Sequence, residues 1–186
     1  MVEKNNTFLM TLFGLQYPIN DKITFSLAVI EKRRSLLLTD DKLVKFLSDY
    51  EKAFENTQKA MREIGMSDIC CDCAINTGGS CCGEGIEDWF DSALIVINLL
   101  LDVNIPEKRM VQNGCWFLGE TGCLIKAKHT LCINYLCKRL QQDISPDKLQ
   151  YFQKCMLHET ELLFYMEEKI KEILRGEPLS DIYKKH

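Results

Sequence analysis

The chain has 186 residues, 46% of them hydrophobic and 27% charged, with 23 basic residues against 27 acidic ones for a formal charge of −4. This composition excludes a disordered or fibrous chain and fits one globular domain over residues 1–186. With an acidic balance and no basic stripe interleaved with aromatics, nucleic acid is excluded as a partner.

At the N-terminus the apolar stretch 8–15 has neither a basic flank nor a small-residue cleavage site, so a secretory signal is not expected and the protein reads as cytoplasmic. A first helix is expected over about 21–38, with Ile23, Leu27 and Ile30 on one face and Glu31-Lys32-Arg33-Arg34 in solvent. Thr39-Asp40-Asp41 then opens a second helix, in which Leu43, Leu47, Tyr50, Phe54, Met61 and Ile64 recur at helical spacing until Gly65 stops it. These two helices are expected to pair as a hairpin.

Residues 86–103 read as an apolar core helix with Trp89, Ala93, Ile97 and Leu100 on one stripe. Its apolar run contains Asn98 and is closed by Asp91 and Asp102, well short of the ~20 apolar residues that cross a bilayer, so no membrane partner is expected. Residues 104–128, punctuated by Pro106, Gly114, Gly119 and Gly122, read as a loop. A shorter helix over 130–142 carries Ile133, Leu136 and Leu140. Ser145-Pro146-Asp147 then caps a long final helix with Leu149, Phe152, Met156, Leu163, Met166, Ile170 and Ile173 as its seam and Gly176 as its end. The tail 183–186 is expected to fray. The expected fold is mainly α, a single-domain helical bundle with two cysteine-rich loops packed at one end.

Nine of the ten cysteines fall within 70–137: Cys70, Cys71, Cys73, Cys81, Cys82, Cys115, Cys123, Cys132 and Cys137. Buried cysteines acting as small hydrophobes would scatter over helix faces, whereas these concentrate beside glycines, where backbone can fold closely around a metal. In a reducing compartment so many thiols point to metal rather than to disulfides.

Cys70-x-x-Cys73 lets two thiolates bind one centre, and the diverging side chains of Cys81-Cys82 suit a polynuclear centre or two separate ones. The later cysteines, separated by seven, eight and four residues, fit poorly with the paired knuckles of one zinc finger. The expected ligands are Cys70, Cys73, Cys81, Cys82, Cys115, Cys123, Cys132 and Cys137, enough for one or two iron–sulfur clusters of the 4Fe-4S kind, with zinc as the alternative metal. Cys71 is an alternate ligand. On one continuous helix Cys132 and Cys137 would lie roughly 140° apart and serve different centres.

His129 is an alternate ligand, or else a capping residue, and Cys155 reads as a core cysteine. Asp68, Asp72, Glu84, Glu87 and Asp88 read as solvated acidic surface, and Trp116 and Tyr135 as packing residues. No zinc-protease helix, phosphate loop or dinucleotide fingerprint is present, and no strand precedes Cys70-x-x-Cys73 to make it a catalytic dithiol. These residues name no reaction and leave the question of enzyme activity open, with the reading leaning toward a binding protein.

Cys73, Gly79-Ser80-Cys81-Cys82-Gly83, Cys115-Trp116-Phe117-Leu118, Gly122-Cys123-Leu124-Ile125, Cys132 and Cys137 together resemble the CxxCxxCC family, described as a zinc- or iron-chelating domain. The resemblance spans about 70–137 and implies metal chelation without implying a reaction. The chain departs from the family pattern in a longer Cys73–Cys81 segment, in Lys128-His129 where Arg-Pro is usual, and in the helix between Cys82 and Cys115. The functional expectation is an iron–sulfur protein in electron transfer, cluster carriage or redox sensing, with a protein or redox partner. The alternative is a structural zinc module of a helical interaction protein.

Overall fold

The computed structural model describes residues 17–77, 82–177 and 182. The stretch 8–15, Cys81 and the tail 183–186 lie outside them. The architecture is mainly helical: α1 (Ile19–Leu37), α2 (Asp41–Glu63), α3 (Met66–Thr77), a 3₁₀ turn (Ile86–Trp89), α4 (Ser92–Leu100), a hairpin of β1 (Leu118–Gly119) and β2 (Gly122–Cys123), α5 (Thr130–Asn134), α6 (Lys138–Asp143) and α7 (Pro146–Arg175). Among the described residues no helix is long and apolar enough to cross a membrane.

The two long helices form the frame. The Asp40 carboxylate accepts the Leu43 N–H at 2.9 Å and so starts α2, and this bond, ahead of Lys169, holds the carboxyl below its usual range. Gly65, at φ 81, takes the left-handed turn that leads from α2 into α3. Pro146 occupies the first turn of α7, where its missing N–H costs nothing.

The seams read from the sequence meet as an antiparallel pair. Lys169 reaches Asp40 (3.4 Å), Tyr165 stacks on Phe46 (5.7 Å between rings), Glu159 bonds Tyr50 (3.1 Å) and Tyr151 bonds Glu63 (3.1 Å). Tyr50 and Glu159 are both buried, and burial pushes each of their pKa values up. The Tyr50 hydroxyl faces two acceptors, Glu159 Oε1 and the Lys126 carbonyl, each at 3.1 Å.

Helix α1 departs from the expected hairpin: its principal partner is α4, while α2 pairs with α7. Its inward face is also different, being Ile19, Lys22, Phe25, Ser26 and Val29, with Leu27 49% exposed. Two polar residues on that face explain the difference. Lys22 Nζ donates to the Asp88 carbonyl at 2.7 Å, and Ser26 Oγ lies 2.7 Å from the Lys22 carbonyl and 3.1 Å from that of Ser92. Periodicity counts lysine and serine as surface and so rotates the helix the wrong way.

The expected core helix over 86–103 breaks at Phe90. Asp91 caps α4 by accepting the Leu94 N–H at 2.9 Å, which forces an extended residue between the 3₁₀ turn and the helix. Phe90 enters the core at 1% exposure while Trp89 stays 43% exposed, so Trp89 is not on the core stripe. The helix expected over 130–142 is likewise divided into α5 and α6, and Cys137 becomes the N-cap of α6. The angular argument about Cys132 and Cys137 therefore does not apply. Residues 104–128 contain the β1–β2 hairpin, with Leu118 opposite Cys123.

Two apolar clusters result. The larger surrounds α4 and takes in Tyr50, Phe117, Leu163 and Met166. The smaller joins the end of α2 to the start of α7 through Ala60, Ile64, Ile133, Leu140, Phe152 and Met156, and Cys70, Cys137 and Cys155 pack against it.

A half-buried carboxylate on α7, Glu167, makes stability depend on pH. Burial, then the charge of Asp91, raises the Glu167 pKa from 4.5 to about 7, against the opposing pull of Lys171, with Glu168 adding a smaller upward push. Because the folded pKa exceeds the unfolded one, folding is favoured by proton binding at low pH. That contribution is lost between about 4.5 and 7. Glu167→Gln is expected to flatten the fall in thermal midpoint between pH 5 and 8 and to be more stable than the parent chain above pH 7. An unchanged slope would show that Glu167 titrates normally.

Candidate functional site

The first cysteines stand on a helix rather than in a loop. Met66 and Ile69 continue the apolar pattern past Gly65, and Cys70, Cys71 and Cys73 lie on α3. Cys70 and Cys73 are one turn apart, a spacing that puts Cβ atoms ~5–6 Å apart on one face. Cys71 is rotated by roughly 100° from Cys70. Helix α3 packs against β2, the strand that ends in Cys123. Asp72 ties α3 to α6 through Arg139 at 2.6 Å, and the Arg139 guanidinium, ahead of an Asn76 hydrogen bond, holds the Asp72 carboxyl below its usual range. Cys73 lies within the field of the same guanidinium.

The second group forms around a close backbone approach. The Cys115 N–H donates to the Cys82 carbonyl at 2.6 Å, Gly83 bridges Gly114 in antiparallel fashion, and the Glu84 N–H donates to the Asn113 carbonyl at 2.9 Å. A Cβ at 114 would stand 3.0 Å from Leu118 and 3.1 Å from Val111, so those side chains would have to shift by a few tenths of an ångström. The chain then turns, Leu118 N–H to the Cys115 carbonyl at 3.0 Å, into the hairpin that carries Cys123. Asn98, 1% exposed, holds the exit of the hairpin. Its Oδ1 accepts the N–H groups of Lys126 and Ala127 (2.9 and 3.0 Å) and its Nδ2 donates to the Ala127 carbonyl at 2.8 Å.

Cys115 is the buried thiol of this group and Cys123 and Cys132 are exposed. Burial pushes the Cys115 thiol up to about 12, and negative charge at Cys123, Glu87 and Cys132 pushes in the same direction. Cys82, Cys115, Cys123 and Cys132 are thus gathered around one hairpin, with α3 alongside. Cys70 and Cys137 border the smaller apolar cluster together with Cys155, which matches a core position for that cysteine. Cys81 lies outside the described residues. Among the described residues, no three His, Cys, Asp or Glu side chains converge closely enough to hold one metal ion.

His129 acts as a cap. Its Nδ1 accepts the Leu131 N–H at 3.2 Å, its carbonyl accepts the Cys132 N–H at 2.8 Å, and its ring lies between Trp89 and Phe90. Burial lowers its pKa, so the ring is neutral near pH 7. In this geometry Nδ1 is engaged as the acceptor that starts α5. Tyr135, 59% exposed, is not a packing residue.

Glu87 overturns the reading of a solvated acidic surface: it is 2% exposed and pairs with Arg109. No local pattern signals this, because Arg109 lies 22 residues away. Asp68, Glu84 and Asp88 are exposed as expected. Comparison with protein-family models, curated proteins and solved structures finds no match to this chain.

The arrangement supplies soft thiol donors of unequal reactivity. At pH 8, in metal-free protein, Cys123 and Cys132 are expected to alkylate at least ~100-fold faster than Cys115, because only the thiolate reacts. Peptide mass spectrometry over a time course measures this. Labelling of Cys115 at the rate of Cys123 would show that its thiol is neither buried nor raised.

Proposed function

We propose that this chain is a cytoplasmic metal-binding protein whose cysteines hold an iron–sulfur centre, serving electron transfer, cluster carriage or redox sensing with a protein partner rather than catalysing a reaction. The observation that carries the reading is Cys115. Its thiol is buried, its backbone N–H bonds the Cys82 carbonyl, and Cys123 and Cys132 lie near enough to oppose its ionisation. A bound metal reverses that opposition, since coordination deprotonates a thiol outright.

The donor set fits. Thiolates are the ligands that iron–sulfur clusters take, and separate segments supply them here. Cys82, Cys115, Cys123 and Cys132 would form one set, and Cys70, Cys73, Cys81 and Cys137 would complete the donor count. A cluster so held supplies one-electron transfer. The chain's own contribution is to orient the thiols through the Cys82–Cys115 backbone bond and the Asn98 clamp, and to shield Cys115 from water. The resemblance of residues 70–137 to the CxxCxxCC family points the same way.

One observation favours zinc as a second reading. Strands of two residues make a hairpin too short to be stable alone, and a four-thiolate zinc site would clasp it without redox chemistry.

Metal and acid-labile sulfide analysis of protein purified without oxygen separates the two. Iron and sulfide in comparable amounts, with broad absorption near ~400 nm that bleaches on reduction, is the expected result. Zinc without sulfide would establish the structural clasp instead. Protein that takes up neither metal after reconstitution would end the metal-binding reading.

A further inference from the structure

Cys115, Phe117 and Leu118 on one segment and Cys82 and Ile86 on the other pack on the larger apolar cluster, but glycines stand at 83 and 114 where the two backbones meet, so no side chain of those two residues fixes the junction. One other side chain reaches both segments. Arg109, whose side chain is 23% exposed, donates from Nη1 to the Gly114 carbonyl and from Nη2 to Glu87 Oε1. It also lies 3.4 Å from Glu84 Oε1.

Glu87 is anchored in turn. Its Oε2 accepts the Gly85 N–H at 3.0 Å, and Gly85, at φ 93, takes the left-handed conformation that turns the chain from the cysteine segment into the 3₁₀ turn. Trp116 covers the guanidinium, with Arg109 Cζ 6.0 Å from the ring centroid, and is itself fixed by Nε1 donating to the Pro106 carbonyl at 2.8 Å. The carboxylate of Glu87 is thus removed from water only because Arg109 neutralises it, and a buried charge without its partner is strongly unfavourable.

We propose that Arg109 is a positioning residue: by bridging Glu87 on one cysteine-bearing segment to the Gly114 carbonyl on the other, it sets the register in which Cys82 and Cys115 face a shared ligand. The clamp stands on its own geometry, and its consequence for metal rests on the function proposed above. The planar guanidinium is essential, because its two nitrogens reach two acceptors at once. An ammonium at this position could neutralise Glu87 but could not hold the Gly114 carbonyl in the same geometry.

The test compares the full-length parent chain with Arg109→Gln and Arg109→Lys in two measurements. Amide hydrogen exchange at Cys115 and Glu84, whose N–H groups make the cross-segment bonds, reads the clamp directly. Both amides are expected to exchange about tenfold faster in Arg109→Gln, while amides in the middle of α2 and α7 keep the parent rate. Loss of metal to a chelator from the loaded protein reads the consequence, with an expected acceleration of about tenfold in Arg109→Gln and an intermediate rate in Arg109→Lys.

Unchanged exchange at Cys115 and Glu84 would overturn the clamp, as would a uniform rise that includes α2 and α7. Faster exchange with unaltered metal loss would overturn the positioning role. A parent chain that takes up no metal would defeat the proposed function, while the exchange data would still decide whether the clamp exists. Should Arg109→Gln fail to fold, Arg109→Lys, which keeps a charge beside Glu87, carries both measurements.

Discussion

Helix α4 has almost no face that can meet water: seven of its nine residues are apolar, and Ser92 and Asn98 are buried with them. Such a helix has to be covered on every side, and the architecture follows from how this is done. Helix α1 lies along one side and α7 along another. Phe117 and Ile125 from the hairpin segment join the same cluster, and Phe90 packs at a tilt against Phe117 with ring centroids 4.9 Å apart. Of the polar groups buried in the process, the Ser92 carbonyl accepts from Ser26 Oγ and Asn98 bonds the backbone at 126–127. The cover of α4 is therefore also what holds the hairpin and, through it, Cys115 and Cys123.

The cysteine end obeys a different constraint. Its segments are rich in glycine and short in regular structure, so polar contacts set their geometry where side-chain packing cannot. A buried carboxylate, an arginine under an indole ring and a backbone bond between two cysteines do the work that packing does around α4. Negative charge at Cys123, Glu87 and Cys132 raises the pKa of Cys115. A cationic centre coordinated by thiolates would relieve that repulsion, which ties the proposed function to the surroundings of a single thiol.

The long helices were legible from the sequence because three independent signals agree in each. Leu43, Leu47 and Tyr50 follow a capping Asp40, and Leu163, Met166 and Ile170 follow Ser145-Pro146. The gathering of cysteines was legible as a region, but its local form was not. The segment carrying Cys70 and Cys73 read as loop because Gly78 and Gly79 lie just beyond it, yet α3 runs as far as Thr77. Lys22, Ser26 and Glu87 were hidden for a common reason. Each is a polar residue placed inside by a partner distant in sequence, at Asp88, Ser92 and Arg109 respectively, and patterns of hydrophobicity cannot register a pairing of that kind. The division of 130–142 into α5 and α6 left no hydrophobic mark either, since Ile133 and Leu140 face the same cluster from separate helices.

X-ray absorption at the metal edge of the anaerobically purified chain tests the central claim most directly, because it reads the atoms bound to the metal rather than the amount of metal present. The account predicts an iron edge with a first shell of sulfur alone and a second shell of neighbouring iron, as a cysteine-ligated cluster requires. A first shell of nitrogen or oxygen at any metal edge would contradict it, placing the metal on surface carboxylates or histidines and leaving the gathered thiols without that role.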